Sequence, residues 1–377
     1  MAVNMEIVVI LLAALLIYLL QSRLYKKYWK RGLSLSLRFE RDTAFEGDSL
    51  SLIEVLTNNK LLPLPFVTVK FQVSRKLEFL DSNNSQITDY YYRNDLFSIT
   101  MRQRITRKLP FICAKRGYYT IHSADLVSNN LLGTEKYAKR ENPSTYLTVY
   151  PNFTDLSDFS LPFGRIGGSV IARSILNPDP FEFRGIREYL PTDSLRHINF
   201  KASARIGMLM SNEYSQTLSQ ELVLVLNTEK YKEWLHDDLY EYAIRLAASV
   251  TDMAIRKDIP IRLYSNGRDV VTGEEEYCET GLGERQLYNI LELLARIDLE
   301  KEPVQKGSEL LQSSMEHHHD NAIFILISPY YKDDLQLTFA RCEEEAFDAL
   351  WLLPYYKNEP EAKELLSDSV LPYEVEP

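Results

Sequence analysis

The sequence predicts a doubly wound α/β domain that follows an antiparallel β-sandwich domain and an N-terminal transmembrane helix. Three patterns support this prediction: an apolar run near the N-terminus, short alternating segments before residue 150, and apolar runs that alternate with amphipathic helices after residue 216. A chain of 377 residues also exceeds the length of one ordinary domain. We therefore predict four parts: an anchor with a basic collar over 1–31, the β-sandwich over 32–150, a linker over 151–215, and the α/β domain over 216–377.

The N-terminal helix is predicted from the stretch between Ile7 and Leu20, which is apolar apart from the phenol of Tyr18. This stretch is shorter than the roughly 20 residues that a bilayer core requires. Basic residues follow it and none precedes it: Arg23, Lys26, Lys27, Lys30 and Arg31. Because positive charge stays on the cytoplasmic side, we expect a single-pass protein of the cell membrane with a cytoplasmic body. The alternatives are a peripheral or buried helix and a cleaved secretory signal, although a signal carries its positive charge first.

Charge and cysteine content argue against two classes of function. The formal net charge is −10, whereas binding of nucleic-acid phosphates requires a surplus of Lys and Arg. The three cysteines, Cys113, Cys278 and Cys342, are too far apart to suggest a disulfide framework or paired metal ligands. We expect reduced, structural thiols.

The β-sandwich is predicted from stretches in which apolar and polar residues alternate between turn-prone residues. The predicted strands cover 33–39, 50–56, 67–73, 97–106 and 118–121. Three consecutive tyrosines, Tyr90, Tyr91 and Tyr92, lie between them. Since aromatic side chains favour strands, packing is the first interpretation of this cluster, and a partner surface is the second.

The α/β domain is predicted from short apolar runs that alternate with helical periodicity. The predicted strands cover 222–226, 259–264, 322–327 and 349–353, the last of which ends the sheet. The predicted helices cover 235–257, 284–297 and 335–347. Such alternation is typical of a parallel sheet that is covered by helices on both faces.

The densest polar stretch of the chain precedes the first strand of this domain. Its residues include Gly185, Arg187, Glu188, Tyr189, Pro191, Asp193, Arg196, Ile198, Ser203, Ala204 and Arg205. The stretch resembles the signature of the bacterial domain of unknown function 58 family, which reads G-x-R-E-Y-x-P-G-D-x-x-R-x-I-x-W-x-x-S-A-R. Thr192 stands in place of the Gly of this signature, and Phe200 stands in place of its Trp. A third departure is the segment 129–133, where relatives usually have a D-P-F-G-L-like turn.

The resemblance implies a fold and a set of partners. In this family the signature precedes a von Willebrand factor A-like domain, and members often have two N-terminal spans where this chain shows one. Family members commonly accompany MoxR-type AAA+ ATPases and membrane transglutaminase-like proteins. Both are therefore the expected partners of this protein.

The signature concentrates four cations and two anions in a short segment. They are Arg187, Glu188, Asp193, Arg196, Lys201 and Arg205. One interpretation is an ion-paired clasp between the linker and the sheet, because guanidinium groups bind carboxylates and backbone carbonyls in pairs. The other is a docking surface for a partner protein, since Arg and Tyr, here including Tyr189, are favoured anchors at interfaces.

We predict that the metal site of the resembled fold is lost. Relatives with an intact site bind a divalent cation through D-x-S-x-S after the first strand, because hard cations require several oxygen ligands. This chain has Asn227, Glu229 and Tyr231 at those positions, so we expect no metal and no cofactor. The sequence His317-His318-His319 is interpreted as a solvated loop, and metal binding there is the alternative.

Common catalytic motifs do not occur in the sequence: it lacks a phosphate-binding glycine loop, a G-x-S-x-G elbow and an H-E-x-x-H helix. The leading hypothesis is a membrane-anchored, non-enzymatic scaffold or adaptor that acts through protein–protein interaction. One alternative is a hydrolase with an unfamiliar site around Asp193 and His197, together with Glu188. The other is an exported binding protein.

Overall fold

The computed structural model describes residues 2–81, 85–87, 90–156, 183–190, 198–214, 221–230, 237–316, 322–345, 348–357 and 369–375. The chain forms two compact units, Met1–Asn152 and Phe153–Pro377. The first unit combines the N-terminal helix with the β-sandwich. The second contains the signature segment and a sheet with helices.

Helix α1 (Ala2–Tyr28) is the first element of the first unit. Its stretch Ile7–Tyr28 is long and apolar enough to cross a membrane, although an N-terminal signal sequence would also meet this criterion. The apolar side chains are exposed, with Leu16 at 68% and Ile17 at 66%. An exposed apolar surface of this kind is compatible with a membrane span.

The remainder of the first unit consists of β-strands. They are β1 (Leu33–Phe39), β2 (Thr43–Phe45), β3 (Ser49–Asn58), β4 (Leu64–Ser74), β5 (Leu77–Phe79), β6 (Ser85–Ile87), β7 (Tyr90–Ile99), β8 (Gln103–Cys113), β9 (Gly117–Ile121), β10 (Ala124–Asn129), β11 (Lys136–Glu141) and β12 (Thr145–Tyr150). Two antiparallel sheets, in the orders β1-β3-β8-β5 and β11-β10-β4-β7-β6, form a β-sandwich, and a smaller sheet has the order β2-β12-β9. Alternate residues of β1 are buried and exposed, as expected for strands with one face in a core.

The predicted strand over 97–106 is wrong, because it joins the end of β7 to the start of β8. The two strands are separated by a turn in which Arg102 has φ 49°. Gln103 stabilises this turn, since its side-chain oxygen accepts a hydrogen bond from the backbone N–H of Thr100 at 2.7 Å. The tyrosine cluster belongs to β7, where Tyr91 is buried against Phe79 and Tyr92 is 40% exposed.

A group of charged side chains lies inside the β-sandwich. Arg93 and Asp95 of β7 are each 1% exposed and form an ion pair of 3.0 Å. Arg107 of β8 also contacts Asp95, at 2.9 Å. Opposite Arg107 on β3, Glu54 is fully buried, and neither of its carboxyl oxygens has a hydrogen-bond partner among the described residues. Burial raises the pKa of Glu54 to about 8, and the charge of Asp95 adds to this effect.

The second unit contains a seven-stranded sheet and five helices in the described residues. Its elements are β13 (Phe183–Glu188), α2 (Phe200–Ile206), β14 (Met210–Tyr214), β15 (Glu221–Leu226), α3 (Asp238–Arg256), β16 (Ile261–Asp269), β17 (Glu275–Gly281), α4 (Gly283–Arg296), β18 (Ile297–Asp298), α5 (Gly307–Glu316), β19 (Ala322–Ile327), α6 (Asp333–Glu344), β20 (Asp348–Tyr356) and β21 (Val370–Val375). The large sheet has the order β17-β16-β15-β19-β20-β21, with β18 paired to β16. Its neighbouring strands are parallel from β16 to β21, and β17 is antiparallel.

Helices cover both faces of the central strand β15. Val223 and Val225 share a core cluster with residues of α5 and α6, such as Leu311 and Leu335. The intervening residues of a strand point to the opposite face, where α3 contacts β15. All residues from Leu222 to Leu226 are fully buried, which explains the uninterrupted apolar run.

One sequence prediction about this unit is wrong. The strand predicted over 349–353 does not end the sheet, because β21 pairs with β20 beyond it. The stretch 151–215, predicted as a linker that carries the signature, contains a two-stranded antiparallel sheet of β13 and β14. Helix α2 lies between these two strands in sequence.

Candidate functional site

Three polar residues lie side by side where three neighbouring parallel strands end or bend. Leu226 of β15 is level with Ser265 of β16 and with Ile327 of β19. The next residue of each strand is therefore Asn227, Asn266 and Ser328, respectively, and all three are fully buried. The carboxyl end of a parallel sheet is the usual position of a site in this kind of architecture.

The side chain of Asn227 is the centre of a hydrogen-bond network. Its Oδ1 accepts from Asn266 Nδ2 at 2.7 Å and from the backbone N–H of Glu229 at 3.0 Å. Its Nδ2 donates to Ser328 Oγ at 3.0 Å. Asn266 Oδ1 in turn accepts from the backbone N–H of Thr228 at 2.8 Å. We call Asn227, Thr228, Asn266 and Ser328 the strand-end network.

Helix α5 begins directly against this network. Its first residue, Gly307, donates its backbone N–H to Glu229 Oε2 at 2.7 Å, so the carboxylate caps the positive end of the helix. A Cβ atom on Gly307 would lie 2.3 Å from Asn227 Nδ2, so only glycine permits this approach. Burial raises the pKa of Glu229, and the hydrogen bond from Gly307 opposes that rise.

A cavity of about 760 Å³ lies beside Glu229. It is lined by the segment 299–306 and by Lys230 and Glu309. Lys230 is paired with Asp237 at 2.8 Å. The wall combines lysines with glutamates, so the cavity does not select one sign of ligand charge.

The side-chain oxygen of Asn227, which stands at a position where the resembled fold has a metal ligand, is already used for hydrogen bonds within the strand-end network. Both acceptor positions of Asn227 Oδ1 are used by N–H groups, and the carboxylate of Glu229 serves as a helix cap. Among the described residues, no group of three or more His, Cys, Asp or Glu side chains is arranged to hold a metal ion. Tyr231 and the triplet His317, His318 and His319 lie outside the described residues. The loss of the metal site thus stays a prediction, which the geometry of Asn227 supports.

The signature segment forms a small element of its own. Arg187 of β13 pairs with Ser211 of β14 in an antiparallel register. Asn199 caps helix α2, accepting from the backbone N–H of Ala202 at 2.9 Å and donating to Asn212 Oδ1 at 2.7 Å. Ser203 of the helix accepts from the backbone N–H of Met210 at 2.8 Å, which ties α2 to β14.

This element exposes a group of large apolar residues, although its backbone is well hydrogen-bonded. None of the residues of α2 is buried. The exposed apolar residues, with their exposed fractions, are Ile186 (43%), Leu190 (52%), Phe200 (74%), Ile206 (55%), Met208 (52%) and Leu209 (53%). Together with Lys201 and Arg205, which are exposed and form no ion pair in the described part of the chain, they make up what we call the signature surface.

The sequence-predicted residues of the signature are only partly brought together. Arg187 is half-buried and donates from Nη1 to the carbonyl of Glu188 at 3.0 Å. Tyr189 is half-buried, and its backbone N–H donates to Leu209 at 2.9 Å. Asp193, Arg196 and His197 lie outside the described residues. The choice between clasp and docking surface, and the hydrolase alternative, therefore stay hypotheses.

Sequence reasoning missed three residues of the strand-end network and its surroundings. Asn266 lies within β16, Ser328 follows β19, and Gly307 begins a helix that the sequence pattern did not predict. Ser328 follows a predicted strand directly, and this position could have identified it. Asn266 and Gly307 give no local signal, because their partner Asn227 is distant in sequence.

Comparisons with known proteins give one distant relative and several remote likenesses. No protein-family model matches the chain. The uncharacterized protein YeaD of Bacillus subtilis is 23% identical over 257 residues, and the match covers 68% of this chain and 61% of that protein's length.

Among solved structures, the CARDB domain of a Pyrococcus furiosus protein is similar at a TM-score of 0.22 and 11% identity, covering 32% of this chain and 90% of that domain. A cohesin module from a Clostridium perfringens glycoside hydrolase is similar at a TM-score of 0.23 and 6% identity, covering 32% of this chain and 98% of the module. Likenesses at this level carry no argument about function. This chain is therefore similar in sequence to YeaD.

Proposed function

We propose that this protein is a membrane-anchored, non-enzymatic scaffold that binds a MoxR-type AAA+ ATPase through its signature surface. The observation that carries the proposal is the exposure of the signature surface on an element whose backbone is held by caps and strand pairing. Helix α2 buries none of its own residues, yet Asn199 and Ser203 hold it in place. A fixed apolar surface of this kind is typical of a protein–protein interface.

The composition of the signature surface fits a protein partner. Phe200, the most exposed large apolar residue in the described part of the chain at 74%, has the large aromatic side chain that is favoured at the centre of interfaces. Lys201 and Arg205 lie on the same helix and are also exposed. An acidic patch around an apolar pocket would complement them. The choice of a MoxR-type ATPase comes from the resemblance of the signature.

We infer that the second unit is a von Willebrand factor A-like domain without a working metal site. The parallel strand order and the helices on both faces of β15 support the first part of this inference. The closed hydrogen bonding of Asn227 supports the second. An A-like domain without a metal would bind its partners through side chains alone.

The cytoplasmic side of the cell membrane is the proposed location. The exposed apolar surface of α1 and the basic collar that follows the apolar run support an anchored, inward-facing body. The second partner implied by the resemblance, a membrane transglutaminase-like protein, would then lie in the same membrane and could bind this protein there. A cysteine introduced by Tyr277→Cys, at a position 61% exposed, should react with a membrane-impermeant reagent only after lysis. Labelling in intact cells would favour the exported-protein alternative.

The state of the cysteines argues against a nucleophilic thiol at Cys113 or Cys342. Cys113, Cys278 and Cys342 are all free. Burial raises the pKa of Cys113 to about 12 and that of Cys342 to about 12. A thiol with such a pKa stays protonated at neutral pH and is a poor nucleophile.

The test is site-specific photocrosslinking in native membranes. A photoreactive phenylalanine analogue replaces Phe200 in one variant and Leu337 of α6, which is 65% exposed, in the matched control. We expect a crosslink to a AAA+ ATPase from position 200 and none from position 337. The paired change Lys201→Glu and Arg205→Glu should weaken the crosslink, because it reverses the charge beside the apolar contact.

Two results would count against the proposal. If position 200 gives no ATPase crosslink in cells that contain the ATPase, the signature surface is not its binding site. If positions 200 and 337 crosslink the ATPase equally, the contact is non-specific.

A further inference from the structure

One face of helix α1 packs against the β-sandwich. Ser22 Oγ donates to Glu135 Oε1 at 2.5 Å, and Tyr25 Oη donates to the carbonyl of Pro63 at 2.9 Å. Trp29 stacks on Tyr137 with ring centroids 5.8 Å apart. Ser22 and Tyr25 lie one turn apart on α1, and Trp29, the residue after its end, continues this spacing through a backbone hydrogen bond to Tyr25.

The same face extends the contact into the apolar run. Tyr18, the only polar residue between Ile7 and Leu20, places its hydroxyl 3.4 Å from Thr134 Oγ1. A helix rises about 1.5 Å per residue, so the stretch from Ile7 to Tyr18 covers only about 17 Å. The hydrocarbon core of a bilayer is about 30 Å thick. If α1 crosses the bilayer, residues at the level of Tyr18 therefore lie in or next to lipid.

The turn that contacts Tyr18 presents two leucines to its surroundings. It joins β10 to β11, and Leu131 and Leu132 at its tip are 52% and 61% exposed. Adjacent exposed leucines in a short turn are unfavourable in water, because each leaves a large apolar side chain hydrated.

This turn is also held in a fixed shape. Asn130 is fully buried, its Nδ2 donates to Thr134 Oγ1 at 2.7 Å, and its Oδ1 accepts from the backbone N–H of Thr134 at 2.8 Å. Gly133 has φ 72° and closes the turn with a backbone hydrogen bond to Asn130 at 3.0 Å. The leucines consequently keep their outward direction.

We propose that Leu131 and Leu132 insert into the lipid bilayer beside α1, so that the β10–β11 turn is a second membrane contact of the β-sandwich. We place this apolar tip at the boundary between the lipid headgroups and the acyl chains, because the tip lies level with the apolar part of α1. Apolar side chains that enter this boundary add to membrane affinity. The inference rests on the proposed membrane anchoring of α1.

The test uses the full chain, reconstituted in phosphatidylcholine–phosphatidylglycerol vesicles, with an environment-sensitive fluorophore on a single introduced cysteine. Cys278→Ser removes the accessible native thiol, and Cys113 and Cys342 are buried. The probe site is Leu132→Cys. The matched control is Leu61→Cys, which is 63% exposed on a loop near Gly32, and the span control is Leu12→Cys.

We expect the probe at position 132 to emit at shorter wavelength and to lose intensity when lipids carry a shallow nitroxide quencher. Position 61 should show neither change, and position 12 should be quenched by a deep nitroxide. If position 12 is quenched and position 132 behaves like position 61, the inference is wrong while the anchoring stands. If position 12 is not quenched, the anchoring fails and the inference fails with it.

Discussion

Both units bury polar groups at their centres, but they satisfy them in opposite ways. In the second unit, the amide of Asn227 uses its oxygen and its nitrogen within the strand-end network. In the first unit, Asp95 is shared by two arginines, while the nearby carboxyl of Glu54 has no hydrogen-bond partner in the described part of the chain. The strand-end network of the second unit is neutral at every pH, whereas the charge of the buried group in the first unit depends on which of its side chains carry protons.

This difference indicates which changes should lower the stability of each unit. A neutral amide donates and accepts at once, so a network of amides and hydroxyls can close without charge. A buried carboxyl next to an ion pair must either find a donor or keep its proton. We therefore expect the first unit to respond to pH and to charge removal, and the strand-end network to respond mainly to changes of shape.

The largest effect is expected from Asp95→Ala, which leaves Arg93 buried without its carboxylate. Removal of one partner of a buried ion pair typically costs about 3–5 kcal/mol, because the remaining charge is uncompensated. Calorimetric unfolding of the full chain in detergent should show this loss. The control is Asp125→Ala, since Asp125 is 42% exposed and pairs with an exposed Arg140. That change should cost less than about 1 kcal/mol, and equal effects would contradict the role given to burial.

Glu54→Gln should change how stability depends on pH. Because the pKa of Glu54 in the folded chain is about 8, against about 4.3 when unfolded, the folded chain retains a proton that the unfolded chain has released. Stability should thus be greatest below the unfolded pKa and fall as pH rises towards about 8.

Between pH 5 and pH 8.5, the free energy of unfolding of Glu54→Gln should decrease by roughly 2–4 kcal/mol less than that of the original protein. Urea unfolding at the two pH values measures this difference. The exposed Glu78 of β5 provides the control Glu78→Gln, which should keep the pH dependence of the original protein. An unchanged slope in Glu54→Gln would show that this carboxyl is ionised when buried.

Gly307→Ala tests the shape of the strand-end network. The added methyl group would lie 2.3 Å from Asn227 Nδ2, and Asn227 cannot move away without breaking its hydrogen bonds. Overpacking of this kind costs about 1–3 kcal/mol. Gly185→Ala, where nothing lies within 4 Å of the new atom, is the control in the same unit. A thermal midpoint of Gly307→Ala equal to that of the original protein would mean that α5 moves away from the network without loss of stability.

Divalent metal should have the smallest effect. Both acceptor positions of Asn227 Oδ1 are occupied, so addition of Mg²⁺ or Mn²⁺, or of a chelator, should leave the thermal midpoint unchanged. Titration calorimetry provides the second measurement. Micromolar binding that is abolished by Asn227→Ala would contradict the prediction that the metal site is lost.

The parts of the fold that sequence predicts best are those in which one periodicity is unambiguous. The strand Leu33–Phe39 was predicted with its observed bounds because its alternation is strict, and Ala322–Ile327 because its run is wholly apolar. Strands β7 and β8 were merged because Met101 and Arg102 form their turn without the glycine, proline or asparagine that usually marks one. Strand β21 was missed, since Pro372 and Glu374 interrupt its apolar pattern.

The candidate site was also predicted only in part, because its residues come from distant positions in the sequence. Asn227 could be located from the sequence, because it directly follows a predicted strand. Its partners Asn266 and Gly307 could not, since the parallel register brings Asn266 beside it and the packing of α5 brings Gly307. The buried pair of Arg93 and Asp95 was also missed, because their alternation with exposed residues on β7 does not reveal which face is inside.

The continuous packing of α1 on the β-sandwich also has a mechanical meaning. The helix runs without a break from the apolar run to Tyr28 and reaches β1 after a turn at Gly32, so the joint contains no flexible spacer. Helices adjust to bilayers of different thickness by changing their tilt. With α1 in a bilayer as proposed, a change in the tilt of the helix rotates the β-sandwich with it, so the thickness of the membrane sets the direction in which the β-sandwich faces.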